Sequence, residues 1–412
     1  MGEKVINAAL LGLGTVGTGV YKVLKNQEEE MTAKIGCKVK IRKILVRNLE
    51  KAAGKVDDPA VLTNSWEDIK ADPSIDIIIE LIGGIEPART YILDALHAGK
   101  HVVTANKDLI AVHGKELMDT ARASHVDFLF EAAVAGGIPI IRPLKQCLAG
   151  NHMSEVMGIV NGTTNFILTK MSQENMEFKD ALALATELGY AEADPTADID
   201  GLDAGRKVAI LASVAFNSRV VFDDVYIEGI TKITAEDIKY ATSMGTAIKL
   251  LATSRKVGDQ YYAMVSPVMI DAKNPLYSVN GVFNAIFIHG NVLGDAMFYG
   301  SGAGKLPTAS AVVADVVDCA KNKGRNIMMS WSEEKLDLLQ IDDVKSRFFV
   351  RVSGHAAERQ SEIEELFGKV EIVAVPSLSE EFAFITGEIT EQEYREKAEK
   401  LDGIQSRIRA RI

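Results

Sequence analysis

Residues 4–17 read KVINAALLGLGTVG, an apolar run that ends in Gly12-Leu13-Gly14-Thr15-Val16-Gly17, with a helical pattern from about Thr18 onward. Strand, glycine turn and helix in that order form a dinucleotide cradle. Gly12 permits the tight turn, Gly14 lets the backbone approach a pyrophosphate, and Gly17 allows close helix packing. The helix beginning beyond Thr15 and Val16 turns its positive end toward the anion. Such a motif by itself can be a mere turn; its flanking strand and helix argue for nucleotide binding.

The pattern continues outward from this turn. A second strand, about 38–46, ends at Arg47 rather than at an acidic residue that would hold a ribose 2′-hydroxyl. That favours an adenosine 2′-phosphate, hence NADP, with NAD still usable; the plain alternative is a solvated Arg47 beside Lys51. A buried strand at 75–81 runs into Ile82-Gly83-Gly84, where Gly83 lets the backbone lie against a flat ligand. After a helix at 87–98, the strand 101–105 delivers Asn106 and Lys107 at the sheet edge where ligands sit. Lys107 there is either solvated or catalytic. A helix at 114–124 and a strand at 127–131 complete a Rossmann-like, doubly wound nucleotide domain over residues 1–134.

Composition bounds the rest. A chain of 412 residues with 47 % apolar content can bury a large core, and is expected to form two or three domains. No apolar run reaches the roughly 18 residues of a membrane span. Met1 stands directly ahead of the first strand, so neither a cleavable leader nor an upstream kinase-like segment is expected, and the cytoplasm is the default location. The net charge of −11 disfavours nucleic acid and anionic membranes as partners. Cys37, Cys147 and Cys319 are too widely spaced for a disulfide framework or a thiolate metal site.

A second decisive stretch is residues 185–207, ATELGYAEADPTADIDGLDAGRK. Helical spacing over 181–188 stops at Gly189, Asp194-Pro195 breaks any continuation, and a helix resumes at Ile199 or Leu202 with Asp203 and Lys207 four apart on one side. The bland reading is a salt bridge on a solvated helix. The alternative is a pocket where Glu192, Asp198 and Asp203 meet an ammonium while Lys207 handles a proton.

The pattern A-x3-G-Y-A-x2-D-P-x2-D-I-x-G-x-D-x3-K in this stretch resembles the signature of homoserine dehydrogenases. The resemblance implies reversible hydride transfer between NADP(H) and the pair homoserine and aspartate 4-semialdehyde, in threonine and methionine biosynthesis. It casts Lys207 as proton donor with Lys107 as its partner, and places Gly189 and Tyr190 beside the nicotinamide and substrate. Thr-Ala-Asn-Lys at 104–107 also resembles the family's tetrad. Residues 161–165, Asn-Gly-Thr-Thr-Asn, either cap a helix over 166–171 or bind a substrate carboxylate through Gly162 and Thr163; the family's substrate loop favours the second. In the segment 131–141, Glu131, Val134, Gly136 and Ile138 match the family's sodium ligands. Gly302, Ala303 and Gly304 match a segment lying along the nicotinamide, after which a helix over 309–319 returns to the nucleotide domain.

The expected architecture is α/β: the Rossmann domain over 1–134 completed by 305–324, an α+β catalytic and dimerisation domain over 135–304 with an open, mostly antiparallel sheet, a linker at 325–345, and a small βαββαβ domain over 346–412. That last order resembles the ACT domain of many homoserine dehydrogenases, although Ser353-Gly354-His355-Ala356-Ala357 replaces the usual acidic, proline and glycine turn. A homodimer or homotetramer is implied. Two rivals are weaker: a semialdehyde dehydrogenase would need a nucleophilic cysteine, which neither Cys147 nor Cys319 resembles, and a nucleotide sensor has no use for two lysines and a carboxylate cluster.

Overall fold

The opening apolar run becomes β1 (Val5–Leu11), a central strand whose residues Ala8 to Leu11 are fully buried. Burial on both faces is what a parallel sheet imposes on its inner strands, and it explains the continuous rather than alternating apolar pattern. The computed structural model describes residues 4–322, Ile327 and 331–412. It divides into two units: Met1–His152, Ala209–Phe222 and Gly300–Lys335 in one, Met153–Val208, Asp223–Tyr299 and Leu336–Ile412 in the other.

In the first unit, β1 is joined by β2 (Lys38–Leu45), β3 (Leu62–Thr63), β4 (Ile77–Glu80), β5 (His101–Thr104) and β6 (Phe128–Leu129). The sheet is parallel, in the order β3-β2-β1-β4-β5-β6. That order reverses between β1 and β4, and at such a point the carboxyl ends of the strands open a crevice for a nucleotide. The helix Thr15–Asn26 begins three residues earlier than the periodicity indicates, because Gly14 in an extended conformation serves as its N-cap. Gly12 has φ +97, and a Cβ on Gly17 would stand 2.1 Å from the Gly12 carbonyl oxygen. The helix Lys305–Lys321 belongs to the same unit and packs on Thr15–Asn26 so closely that a Cβ on Gly19 would lie 2.6 Å from the Lys305 carbonyl oxygen.

Part of the stretch expected to be a linker is bound structure. Trp331 is buried, edge-on to Phe130 at 6.1 Å, and leaves space above it only for Gly114. Residues 325, 326 and 328–330 of that stretch, and 323–324 of the expected completion of the nucleotide domain, lie outside the described residues.

The second unit is built on one long sheet. Its strands are β7 (Met153–Ile159), β8 (Tyr226–Ile227), β9 (Ala247–Val257), β10 (Gln260–Ile270), β11 (Phe283–Gly290), β12 (Gly294–Ser301), β13 (Lys345–Ser353), β14 (Glu371–Val373), β15 (Glu381–Ile385), β16 (Ile389–Thr390) and β17 (Ile404–Arg411). The main order is β12-β11-β7-β9-β10-β17-β13-β15-β14. The glycine-dense residues 294–301, which carry no strand pattern, thus form β12, whereas the strand expected over 225–230 shrinks to β8. Neighbours are antiparallel except where β10 meets β17 and β8. The helix Gly162–Glu174 buries Phe166, Ile167, Leu168 and Met171.

From β13 onward the chain runs β, helix Ala356–Phe367, β, β, helix Glu391–Ala398, β, with its four main strands ordered 4-1-3-2 around Phe348, Val350, Ile363, Phe382 and Phe384. This is the ferredoxin-like arrangement. Its last strand, β17, pairs in parallel with β10 from Val268↔Arg409 to Ile270↔Arg411, so β7–β12 and the C-terminal segment share one sheet.

The glycine turn supplies a direct test. Gly17→Ala should lower the stability of the purified protein by about 3 kcal/mol, since the new methyl cannot avoid backbone. Gly14→Ala, with nothing within 4 Å of its added Cβ, should cost less than about 1 kcal/mol. Thermal melts of the two variants check the contrast, and a larger loss at Gly14 would refute it.

Candidate active site

In the first unit the ligand edge is organised by buried polar side chains. Gly14, Thr15 and Val16 cap and begin the helix Thr15–Asn26, whose first-turn amides have no intrahelical acceptor. The space around Gly14 is open, as a pyrophosphate requires. Lys55 Nζ donates to the Leu13 carbonyl at 3.0 Å, which brings a cation to this turn. Arg47 is exposed just beyond β2 and makes no hydrogen bond or ion pair among the described residues.

At the end of β4, Glu80 is fully buried. Its Oε1 accepts from the Ile82 and Gly83 amides at 2.8 and 3.0 Å, and its Oε2 from Thr104 Oγ1 at 2.5 Å. The carboxylate thereby shapes the turn that holds Gly83 at φ +73. Asn106 continues this lattice: its Nδ2 donates to the Gly84 carbonyl at 2.6 Å and its Oδ1 caps the helix Lys107–Ala123 by accepting from Leu109 N. Lys107 is therefore the first residue of a helix, seven residues ahead of the expected start, because Asn106 is a good N-cap.

Glu131 is buried, and its partners are backbone. Oε1 accepts from the Ile140 and Ile141 amides, at 2.5 and 2.8 Å, and Oε2 from Arg142 N at 2.8 Å. The Glu131 amide donates to Asp315 Oδ2 at 2.8 Å, and Arg142 pairs with Asp315 Oδ1 at 3.0 Å. Burial first, then the Glu131 carboxylate, pushes Asp315 up to about 8, against the pull of the Glu131 amide and Arg142. The carbonyls of Val134, Gly136 and Ile138 receive no hydrogen bond among the described residues. Carbonyl oxygens left without a donor are the kind of ligand that a hard cation takes. Gly304, at φ 115, is the N-cap of the helix Lys305–Lys321.

The second unit holds the charged cluster. The helix Phe178–Glu187 ends in a Schellman motif, with Tyr190 N donating to Ala185 O at 2.8 Å and Gly189 N to Thr186 O at 3.0 Å, Gly189 taking φ +75. After Pro195 a single turn, Thr196–Ile199, precedes the helix Leu202–Phe216. Lys207 Nζ donates to Asp203 Oδ2 at 2.6 Å and to the Val160 carbonyl at 2.8 Å. Asn161 Nδ2 donates to Asp198 Oδ1 at 2.7 Å and to Asp203 Oδ2 at 2.9 Å. The lysine and aspartate are 13 % and 11 % exposed, which sets them apart from a solvated surface pair.

Residues 161–165 are not a separate loop. Asn161 caps the helix Gly162–Glu174 through Oδ1, and Gly162 and Thr163 are its first turn. Thr163 Oγ1 donates to the Tyr190 carbonyl at 2.7 Å, and the Tyr190 ring packs on Phe166 at 5.0 Å. The structure thus joins Asp198, Asp203 and Lys207 through Asn161, and Tyr190 through Thr163. Glu192 is not part of that network: it is exposed and has no hydrogen-bond or ion-pair partner among the described residues. Sequence reasoning missed Glu80, Lys55 and the clamping role of Asn161. The only signal was a polar residue at a strand end, which Glu80 and Asn161 share.

Comparison with known proteins agrees with this geometry. Residues 12–131 match the model of the homoserine dehydrogenase NAD-binding domain and residues 139–317 that of homoserine dehydrogenase. The homoserine dehydrogenase of Bacillus subtilis is 47 % identical over 320 residues, 77 % of this chain and 74 % of that one. The crystal structure of a homoserine dehydrogenase from Thiobacillus denitrificans superposes with a TM-score of 0.92 at 38 % identity, covering 100 % of this chain and 99 % of the other. A hyperthermophilic archaeal homoserine dehydrogenase in complex with NADPH aligns with a TM-score of 0.66 at 29 % identity, over 76 % of this chain and 97 % of its own. With a parallel nucleotide sheet, a lysine held between aspartate and carbonyl, and relatives this close, the chain belongs to the homoserine dehydrogenase family of NAD(P)-dependent oxidoreductases.

Proposed function

We propose that the protein interconverts L-homoserine and L-aspartate 4-semialdehyde with NADP(H), as a step of threonine and methionine biosynthesis. The observation that carries the chemical assignment is Lys207, whose ammonium has three N–H groups, two of them engaged by Asp203 and Val160. The third is left for a substrate oxygen. Bound nicotinamide supplies the hydride. As the aldehyde carbon gains it, negative charge grows on the oxygen, which Lys207 stabilises and then protonates, giving the alcohol. Lys107 is assigned as its partner in proton transfer.

Asp203 and Glu192 are the proposed partners of the substrate ammonium, with Asp198 behind them. Exposed and without a partner among the described residues, Glu192 can offer its carboxylate to a ligand. Gly162 and Thr163 at a helix start suit a carboxylate. Gly12, Gly14, Thr15, Val16, Gly17, Gly83, Gly189 and Gly304 are assigned to the cofactor. Arg47 favours NADP over NAD, since it is exposed, uncommitted and beyond β2. A sodium ion on Glu131, Val134, Gly136 and Ile138 fits the vacant carbonyls, in a structural role.

The nucleotide part is taken as 1–134 with 305–324, the substrate and dimerisation part as 135–304, and the C-terminal part, 346–412, as ACT-like. A homodimer or homotetramer is part of this reading. The cytoplasm is the proposed site of action; among the described residues no helix is long and apolar enough to cross a membrane.

Two measurements test this reading. Following the NADPH band with homoserine, Lys207→Ala should reduce kcat by about a hundredfold or more while the KM for NADP stays unchanged; turnover near the wild-type rate would remove Lys207 from the chemistry. Arg47→Ala should raise the KM for NADP roughly tenfold and leave that for NAD alone. Equal changes for both cofactors would refute the phosphate contact.

A further inference from the structure

Asn284, the second residue of β11, is 0 % exposed, and neither its Oδ1 nor its Nδ2 has a hydrogen-bond partner among the described residues. A buried carboxamide without partners is costly, so a polar group absent from the folded chain itself should meet it in the working enzyme. The register says where this happens. β11 runs antiparallel to β7 with Ala285 opposite Ile159, so Asn284 falls opposite Val160, whose carbonyl holds Lys207 Nζ. A Cβ on Gly162 would stand 3.7 Å from Asn284 Oδ1 and 2.8 Å from the Val282 carbonyl.

Gly162 and Thr163 open a helix of 13 residues, and their backbone amides have no acceptor among the described residues. The next two amides are satisfied, Thr164 N by Asn161 Oδ1 and Asn165 N by the Asn161 carbonyl. Two vacant amides open the positive end of a helix two residues after the carbonyl that holds the lysine, and the carboxamide of Asn284, which carries two more N–H groups, lies against Gly162, the first of them. The nearby carboxylates, Asp198 and Asp203, are occupied by Asn161 and Lys207. What this donor cluster lacks is an anion.

We propose that Asn284 is a substrate-positioning residue, donating its amide to the α-carboxylate of the amino acid substrate beside Gly162 and Thr163. This rests on the reading of the site given above. The side chain acts through binding: it fixes which end of the substrate lies at the helix start, so that the alcohol end is left for Lys207. Loss of the contact should then appear in KM, with kcat little changed.

The experiment compares wild type, Asn284→Ala and the near-isosteric Asn284→Asp in the full-length protein, with homoserine as substrate and 3-aminopropan-1-ol, which lacks the carboxylate, as a competitive inhibitor. Asn284→Ala should raise the KM for homoserine about tenfold or more, keep kcat within about threefold, and leave the inhibition constant of 3-aminopropan-1-ol unchanged. Asn284→Asp, which sets a carboxylate against a carboxylate, should raise the KM further. Neither substitution should lower the melting temperature as loss of a structural hydrogen bond would, because no such bond exists in the free protein. An unchanged KM in either variant, or a parallel loss of affinity for the carboxylate-free inhibitor, overturns the assignment. A wild-type protein that fails to oxidise homoserine overturns the proposed function instead.

Discussion

One carboxamide organises the charged cluster. Asn161 stands at the junction of β7 and the helix Gly162–Glu174, and its two ends do opposite work. Oδ1 caps the helix, accepting from Thr164 N at 2.9 Å, while Nδ2 bridges Asp198 and Asp203. Two carboxylates drawn to one amide would repel each other in a half-buried setting; the bridging N–H groups and the Lys207 ammonium offset that repulsion. The preceding carbonyl, Val160 O, is the second anchor of the lysine. A strand end, a helix start and the helix Leu202–Phe216 thus meet at a single pair of residues. The lysine is thus held by two acceptors, and a side chain positioned in this way has less orientational entropy left to lose than a solvated one.

The first unit solves the same problem with backbone. Glu80 and Glu131 are both buried, and both are satisfied mainly by main-chain amides of turns. A buried carboxylate that accepts several N–H groups dictates the shape of the turn that wraps it. Glu80 therefore does for Gly83 what a longer loop would do poorly: it holds a glycine at positive φ where a flat ligand can lie on the chain. Around Glu131 the balance is less complete, since Asp315 is pushed up by burial and by its neighbour while, among the described residues, Arg142 is the one cation paired with it.

What could be read from sequence was what depends on neighbours in the chain. The glycines at 12, 14 and 17, the break at Asp194-Pro195, the stop at Gly189 and the four-residue spacing of Asp203 and Lys207 are local, and each stands where its local chemistry requires. The β-α alternation of the first unit and the β, helix, β, β, helix, β order at the C-terminus were legible for the same reason. Illegible were contacts closed by tertiary structure. Thr104 reaches Glu80 across 24 residues, Asn161 reaches Asp203 across 42, and Glu131 meets Asp315 across 184. Nor could spacing reveal that Lys107 is an N-terminal helix residue, because an asparagine cap looks the same as a loop residue until its acceptor is found. Glu192 shows the converse: a carboxylate that sequence grouped with its neighbours stands outside their hydrogen-bond network.

The same physics bears on the C-terminal segment. Its last strand fills the edge of β10, and the joint is charged as well as hydrogen-bonded: Arg409, 3 % exposed, pairs with Glu228 at 2.6 Å and Glu391 at 2.5 Å, and Arg407 reaches the same two carboxylates. Breaking a buried pair of this kind costs about 3–5 kcal/mol, because the remaining charge is stranded. Glu228 is followed by Gly229, where a Cβ would stand 2.2 Å from the Ile199 carbonyl oxygen, and Ile230 N donates to that oxygen at 2.8 Å. Ile199 adjoins Asp198. The arginines of the last strand, the glutamate they grip and the turn carrying Asp198 are consecutive contacts within one unit. Any rearrangement that uncoupled β17 from β10 would strand Glu228 beside that turn, so the integrity of the carboxylate cluster is tied to the docking of the final strand.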